Sequence, residues 1–438
     1  GRCSRTKLLA AMFALHLVAI LAYDASPAAH GAAPTAVQQW DAGVSWTTGY
    51  VPVAKGSIFY AFVPHADPRA PLALWMQGGP GASGIEDGML LINGPLALGA
   101  DGALIRREVS WSTEFAMLYV DQPVGTGYSF AAGNESDVAS YAASSYPEAS
   151  NMVVELLDAV YGELKLWSRA SPLLLTGESY AGHYCPAVAA SILDANAARP
   201  AARRFNLQGV AIGDGLTDPP TQVRTKPAAA LAFGLIGTSE HARCAAHAEA
   251  AAEAAAAGDF AAALRSRDAM EDIVAASGVN LYDVRMYGDY ADGAVATWLS
   301  RADTRARLGV PPTRAFGTHP NVAAALTSDV MRSYTALVKR ALSALPRGVL
   351  LYQGQFDWKD GASSNEAWLA ALDAPEVRRY LNASRVPLST AALAEPYGWV
   401  KGAGKLHDAI LRGAGHMAPR DQPVAALDLL RRWAAGAL

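Results

Sequence analysis

Cysteine is scarce in this chain. Only Cys3, Cys185 and Cys244 occur among 438 residues. They are too few for a disulfide framework or a four-cysteine metal site, and leave two alternatives: one Cys185–Cys244 bridge, or free buried thiols. Charge of one sign is lacking as well. The net charge is -4 and no basic run stands out, so the electrostatic footprint of a nucleic-acid binder is missing. Histidine and cysteine are too scattered for a metal cluster, and no metal or organic cofactor is implied. No internal repeat is obvious. The glycine-rich stretch Gln77 to Ser83 lacks the Gly-Lys-Ser/Thr ending of a phosphate loop. The N-terminal apolar run, Leu8 to Ala22, is shorter than the roughly 20 residues that span a bilayer.

That run is nonetheless informative. Arg2, Arg5 and Lys7 precede it, and small residues cluster from Ala25 to Ala33. Positive, apolar, then small is the order of a secretory signal. Residues 1–32 are expected to be a signal peptide, with a signal anchor as the alternative, and residues 33–438 a single domain. Asn134-Glu-Ser136 and Asn382-Ala-Ser384 are N-glycosylation acceptors. The expected location is the secretory pathway, secreted or vacuolar/lysosomal, with no stable membrane association once the signal is removed.

The remaining 400-odd residues, 51% hydrophobic across the whole chain, supply ample material for a large core. Apolar stretches bounded by turn residues predict strands at Ile58 to Val63, Leu72 to Met76, Phe115 to Val120, Leu173 to Leu175, Leu207 to Ile212, Gly348 to Tyr352 and His407 to Leu411. Val153, Leu156, Leu157, Val160 and Leu164 recur at helical spacing and predict a helix over Asn151 to Trp167; a closing helix runs from Val424 to Ala435. Strands alternating with helices argue for an α/β class, a mostly parallel sheet covered on both faces. The character changes over 219–345. Ala245 to Ala263 is alanine-rich, almost low-complexity, and strongly helix-favouring, so a helical insertion, or lid, is expected there.

The predicted strand at Leu173 breaks at Gly177 and resumes as a helix-compatible segment with Ala181 and Gly182. Ser179 sits on the turn. This is the pattern of a nucleophile elbow, in which small residues let a sharp strand-to-helix turn push a serine hydroxyl out at the end of a sheet. Such a serine needs a base, and the base an orienting acid, each on a loop after a later strand. The histidines beyond Ser179 are His183, His241, His247, His319, His407 and His416. His183 lies in the elbow helix, His241 and His247 lie in or beside the alanine-rich region, and His319 precedes the late strands. His407 starts a strand, the wrong end. His416, in Arg412-Gly-Ala-Gly-His-Met417, just follows one. Asp357 follows the strand Gly348 to Tyr352 and is the expected acid, with Asp360 as runner-up.

Five stretches together resemble the serine carboxypeptidase family of the α/β-hydrolase fold. They are Trp75-Met-Gln-Gly-Gly-Pro-Gly81, Val120-Asp-Gln-Pro-Val-Gly-Thr-Gly-Tyr-Ser129, Gly177-Glu-Ser-Tyr-Ala-Gly-His-Tyr184, Tyr352-Gln-Gly-Gln-Phe-Asp357 and Gly413-Ala-Gly-His-Met-Ala-Pro419. They occur in the family's order over most of the chain, and the expected insertion lies where the family carries its variable helical region. The resemblance implies a serine-type carboxypeptidase acting on peptide or protein C-termini through an acyl-enzyme on Ser179, with His416 as base and Asp357 as its orienting acid. It implies an oxyanion hole from the N–H groups of Gly79 and Tyr180. Trp75, Gln77 and Glu178 match the positions that bind the substrate's terminal carboxylate. A buried Glu178 would bind it only when protonated, so peptide hydrolysis is expected to be favoured at acidic pH.

The chain departs from the family's pattern at four positions. Ile92 stands where many members carry a second acid, with Glu86 and Asp87 nearby but out of register. Gln77 and Asp214 stand where asparagine is usual, and Ala82 where several members have cysteine. The loss at position 92 keeps an esterase or acyltransferase in view. A non-catalytic scaffold is the more distant alternative, because the triad residues are intact. The oligomeric state stays open, homodimer included.

Overall fold

The strand Leu72–Met76 shows how this chain builds two cores around one sheet. Its side chains alternate: Leu72, Leu74 and Met76 join one apolar cluster, Ala73 and Trp75 the other. Leu174, Ala211 and Leu350 likewise face away from their neighbours Leu175, Ile212 and Leu351. A strand buried on both faces reads as an unbroken apolar run, and it needs helices on both sides.

The structure is a computed structural model. It describes residues 38–39, 43–134, 136–141, 146–290 and 292–438. The expected targeting segment, residues 1–32, and Cys3 lie outside the described residues. The main strands are β1 (Ser45–Val53), β2 (Gly56–Val63), β3 (Leu72–Met76), β4 (Ala116–Asp121), β5 (Leu173–Glu178), β6 (Leu207–Gly213), β7 (Gly348–Gly354), β8 (Gly398–Ala403) and β9 (Leu406–Leu411). Their order across the sheet is β1-β2-β4-β3-β5-β6-β7-β9-β8. The central run from β4 to β9 is parallel, and the outer pairs are antiparallel. One face is covered by α1 (Tyr146–Tyr161), α2 (Ala181–Ala198) and, further along the chain, Thr335–Ala344. The other is covered by the π-helical turn Gly84–Ile92 and the closing helix Pro423–Ala435.

Region 219–344 carries helices α3 (Pro219–Ala232), α4 (Thr238–Ala256) and α5 (Phe260–Ala275), then a small hairpin, Val279–Asn280 with Asp283–Tyr287. The alanine-rich run is divided between α4 and α5. Gly258 takes φ +82, and the Asp259 side chain caps the new helix by accepting from Ala262 N–H at 2.9 Å. Ala248, Ala251, Ala252, Ala255 and Ala263 face a third apolar cluster, where small side chains let the helices approach closely. Trp358, the residue after Asp357, is buried in that same cluster.

Three expectations are corrected in detail. Helix α1 starts at Tyr146 and stops at Tyr161, short of Trp167, because Gly162 follows and Lys165 turns to φ +50. The elbow strand runs to Glu178 rather than ending before Gly177, since Gly177 still pairs with Met76 and Ile212, and Glu178 with Gly213, in β5's neighbours. Cys185 and Cys244 are both buried free thiols, which removes the alternative of a bridge between them.

Candidate active site

Ser179 has φ +65, the left-handed strain expected of a residue on a sharp strand-to-helix turn. The turn is locked from below. Ser179 N–H donates to Gly213 O, and Ser179 O accepts from Gly182 and Leu216, each at 2.9 Å. From above, Gly78 lies so close that a Cβ there would sit 2.6 Å from both Ser179 Cβ and Tyr180 N. The glycine-rich loop after β3 therefore rests on the elbow. Gly79 takes φ +109, and neither its amide nor that of Tyr180 donates a hydrogen bond among the described residues. Both amides are available to an incoming oxyanion.

His416 and Asp357 arrive on the loops after β9 and β7. His416 Nδ1 lies 2.9 Å from Asp357 Oδ2. Asp357 also accepts from the backbone N–H of Lys359 (2.7 Å) and Asp360 (3.2 Å), so the carboxylate is fixed before the histidine is counted. Asp360 contributes its amide to this arrangement, and its own carboxyl makes no hydrogen bond or ion pair with His416 among the described residues. His416 Nε2 is buried and has no partner among the described residues. The last link to the Ser179 hydroxyl is thus not closed in the free protein, as is common before substrate binds. Burial works against a charged imidazole, but Asp357, joined by Glu178 and Asp360, overrides it and lifts His416 to about 9.

Trp75, Gln77 and Glu178 form a hydrogen-bonded chain at the same end of the sheet. Trp75 Nε1–H donates to Gln77 Oε1 (2.9 Å), and Gln77 Nε2 donates to Glu178 Oε1 (3.3 Å). Glu178 is fully buried, and its second oxygen, Oε2, has no partner among the described residues. Burial pushes its carboxyl up to about 8, against the opposing pull of His416 and Gln77. Ile92 is buried in the apolar cluster around Trp75 and offers no acid. Asp87 sits earlier on the same π-helical turn. Its carboxyl is pushed well above the usual range by burial first, then by Glu86 and Glu178. An acid that sequence register set aside therefore lies in the electrostatic field of Glu178.

Sequence reasoning missed two supports. Asp329 accepts from the hydroxyls of Tyr180 (2.6 Å) and Tyr334 (2.9 Å) and pairs with buried His183 (3.2 Å), which steadies the residue after Ser179. The hairpin in region 219–344 touches the loops of both Asp357 and His416. Tyr282 O accepts from His416 N–H at 2.7 Å, its ring meets the imidazole edge-on, and Leu281 O accepts from Trp358 and Lys359 N–H. Behind it, Glu271 on α5 collects Lys226, Arg267 and Lys359 in one buried ion cluster. Apart from Arg267–Glu271 and Asp329–Tyr334, these pairings join residues far apart in the chain, so no local pattern announces them.

The family model described as serine carboxypeptidase matches residues 34–436. The chain belongs to the serine carboxypeptidase family. It is accordingly a serine-type hydrolase with the α/β-hydrolase fold. Among its relatives, serine carboxypeptidase-like 49 of Arabidopsis thaliana is 31% identical over 399 residues, covering 87% of this chain and 75% of that one. A venom serine carboxypeptidase of Apis mellifera is 30% identical, covering 89% and 84%. The crystal structure of Kex1Δp, a prohormone-processing carboxypeptidase from Saccharomyces cerevisiae, superposes with a TM-score of 0.78 at 21% identity, covering 90% and 92%. At that identity the likeness supports the fold. Among the described residues no helix is long and apolar enough to cross a membrane.

Proposed function

We propose that this serine carboxypeptidase works through Ser179, His416 and Asp357, and selects its substrate by a protonated Glu178. His416 takes the Ser179 proton as the hydroxyl oxygen attacks the carbonyl of the last peptide bond. The oxyanion is met by the amides of Gly79 and Tyr180, one such donor being worth about 3 kcal/mol. His416 returns the proton to the leaving amine. Water then attacks the acyl-enzyme with His416 again as base, freeing Ser179. Asp357 holds the imidazole in one tautomer and stabilises its cation throughout.

The observation that carries the exopeptidase reading is Glu178 Oε2. It is buried, unpartnered, one residue from the nucleophile, and held at the end of the Trp75–Gln77 chain. Protonated, Glu178 donates to a substrate carboxylate; ionised, it repels one. Asp87 supplies the second acid from a different position than the family's usual one. Preference for a free terminal carboxylate is therefore favoured toward acidic pH. The rate itself has an opposing dependence, because His416 loses its base form as pH falls below its raised value, so the mark of the clamp is a ratio of substrates.

A blocked dipeptide with a free terminal carboxylate, assayed beside its C-terminal amide from pH 4 to 8 with Ser179→Ala as control, tests this. Serine-dependent preference for the free acid is expected, and its absence across the range would remove the clamp. Ester hydrolysis or acyl transfer is the second reading; it rests on the apolar burial of Ile92. It would take first place if esters were cleaved with no preference for the free acid. Entry into the secretory pathway is part of the proposal. It is supported by the residue order over 1–32 and by the exposure of Asn134 and Asn382 as glycosylation acceptors. Mass shift on glycosidase treatment of protein from a secretory host checks both asparagines.

A further inference from the structure

Asp214 follows β6 and is fully buried beside the triad acid. Its Oδ1 accepts from Gly354 N–H at 2.8 Å, and its own N–H donates to Tyr352 O at 2.8 Å. Its Oδ2 has no donor facing it among the described residues. What it does face is another carboxyl: polar atoms of Asp214, Asp357 and His416 all lie within 4.8 Å of one another. A buried carboxylate oxygen with no donor is costly, and two ionised carboxylates in one dry site are costlier still. A single proton between them removes both penalties.

We propose that Asp214 is held protonated and donates its O–H to the Asp357 carboxylate, so that it acts as a positioning residue and His416 faces one negative charge rather than two. The acids and burial around Asp214 favour this state, and His416 and the Gly354 N–H oppose it. Glu178 at the end of β5 and Asp357 on the loop after β7 are the acids packed around Asp214; Tyr352 on β7 adds a phenol, and His416 on the loop after β9 is the one group there able to carry positive charge. Burial first, then Asp357 and Glu178, pushes the Asp214 carboxyl well above the usual range. Tyr352 is likewise pushed up by burial, then by Glu178 and Asp214. The backbone fits the role. Asp214 takes φ +43, a left-handed conformation aspartate and asparagine tolerate, and the nearby Gly213 and Leu216 both bond the Ser179 backbone. One short loop thus touches the nucleophile turn and the triad acid.

The inference rests on the reading of Ser179, His416 and Asp357 as the triad, and its test keeps the two apart. Labelling of Ser179 by a fluorophosphonate probe reports on that reading alone. Asp214→Asn keeps the acceptor for Gly354 and offers an N–H to Asp357, with no proton to lose. Infrared difference spectra of wild type minus Asp214→Asn at pH 7 are expected to show the C=O band of a protonated carboxylic acid. Hydrolysis of an uncharged ester is expected to keep the same apparent pKa for His416 in the variant. If Asp214 is ionised, the band is a carboxylate's, and removing that charge lowers the His416 pKa by about one unit or more; either result overturns the proposal. Asp214→Gly, which suits the positive φ, serves as the difference partner should the asparagine variant not fold. Labelled Ser179 without the acid band sinks only this inference, while unlabelled Ser179 sinks the functional reading.

Discussion

Glu178→Gln separates the proposed carboxylate clamp from the proposed triad. The glutamine has the same length and donates a hydrogen bond at every pH. Wild-type Glu178 donates only while protonated, and burial holds its carboxyl up to about 8. Below about pH 7 both proteins should prefer the free-acid peptide over the matching ester to a similar degree, because nearly all Glu178 carries its proton. Above 8 the wild-type preference should fall about tenfold per pH unit. At pH 9 only about a tenth of the molecules keep the donor, so the variant should be about ten times more selective there than wild type. The assay is kcat/KM for a blocked dipeptide acid and its methyl ester, from pH 5 to 10. Taking the ratio cancels His416, which serves both substrates. A wild-type ratio that stays constant from pH 6 to 10 would refute the reasoning, as would the same alkaline fall in the glutamine variant.

Four further outcomes follow from the structure. Asp357→Asn should fold normally and lose about 10⁴-fold in kcat, since the imidazole loses the acceptor that fixes its tautomer; stopped-time peptide assays read it. Asp87→Ala should raise KM for the free-acid peptide by up to about tenfold and leave the ester unchanged; equal effects on both would remove Asp87 from the clamp. Glu271→Ala should cost about 3–5 kcal/mol in urea unfolding, because it strands Lys226 and Arg267 in a buried cluster. By contrast, Arg378→Ala, in an exposed pair with Asp373, should cost under about 1 kcal/mol. The pH sign for Glu271 is that of a depressed acid. Burial opposes its charge, but Arg267, Lys226 and Lys359 hold it well below 4.5, so its contribution persists above that value and is lost only as pH falls through the lowered one.

The alternating sheet core and the elbow at Ser179 were legible in the sequence because their signals are local. An apolar run bounded by turn residues reports a buried strand, and a glycine two residues before a serine reports the sharp turn after it. His416 and Asp357 could be chosen for the same reason: each follows a strand, and a parallel sheet sends all such loops to one end. What the sequence could not decide was set by contacts between distant residues. Register alone pointed to Ile92 and away from Asp87, but the π-helical turn brings the latter into the field of Glu178. The region 219–345 read as a helical insertion or lid from its alanines. Its hairpin carbonyls on the Asp357 and His416 loops depend on how that region folds back, which no window of sequence encodes. Whether Asp214 carries a charge is likewise a property of burial and of its neighbour Asp357, and only the folded chain puts the two carboxyls side by side.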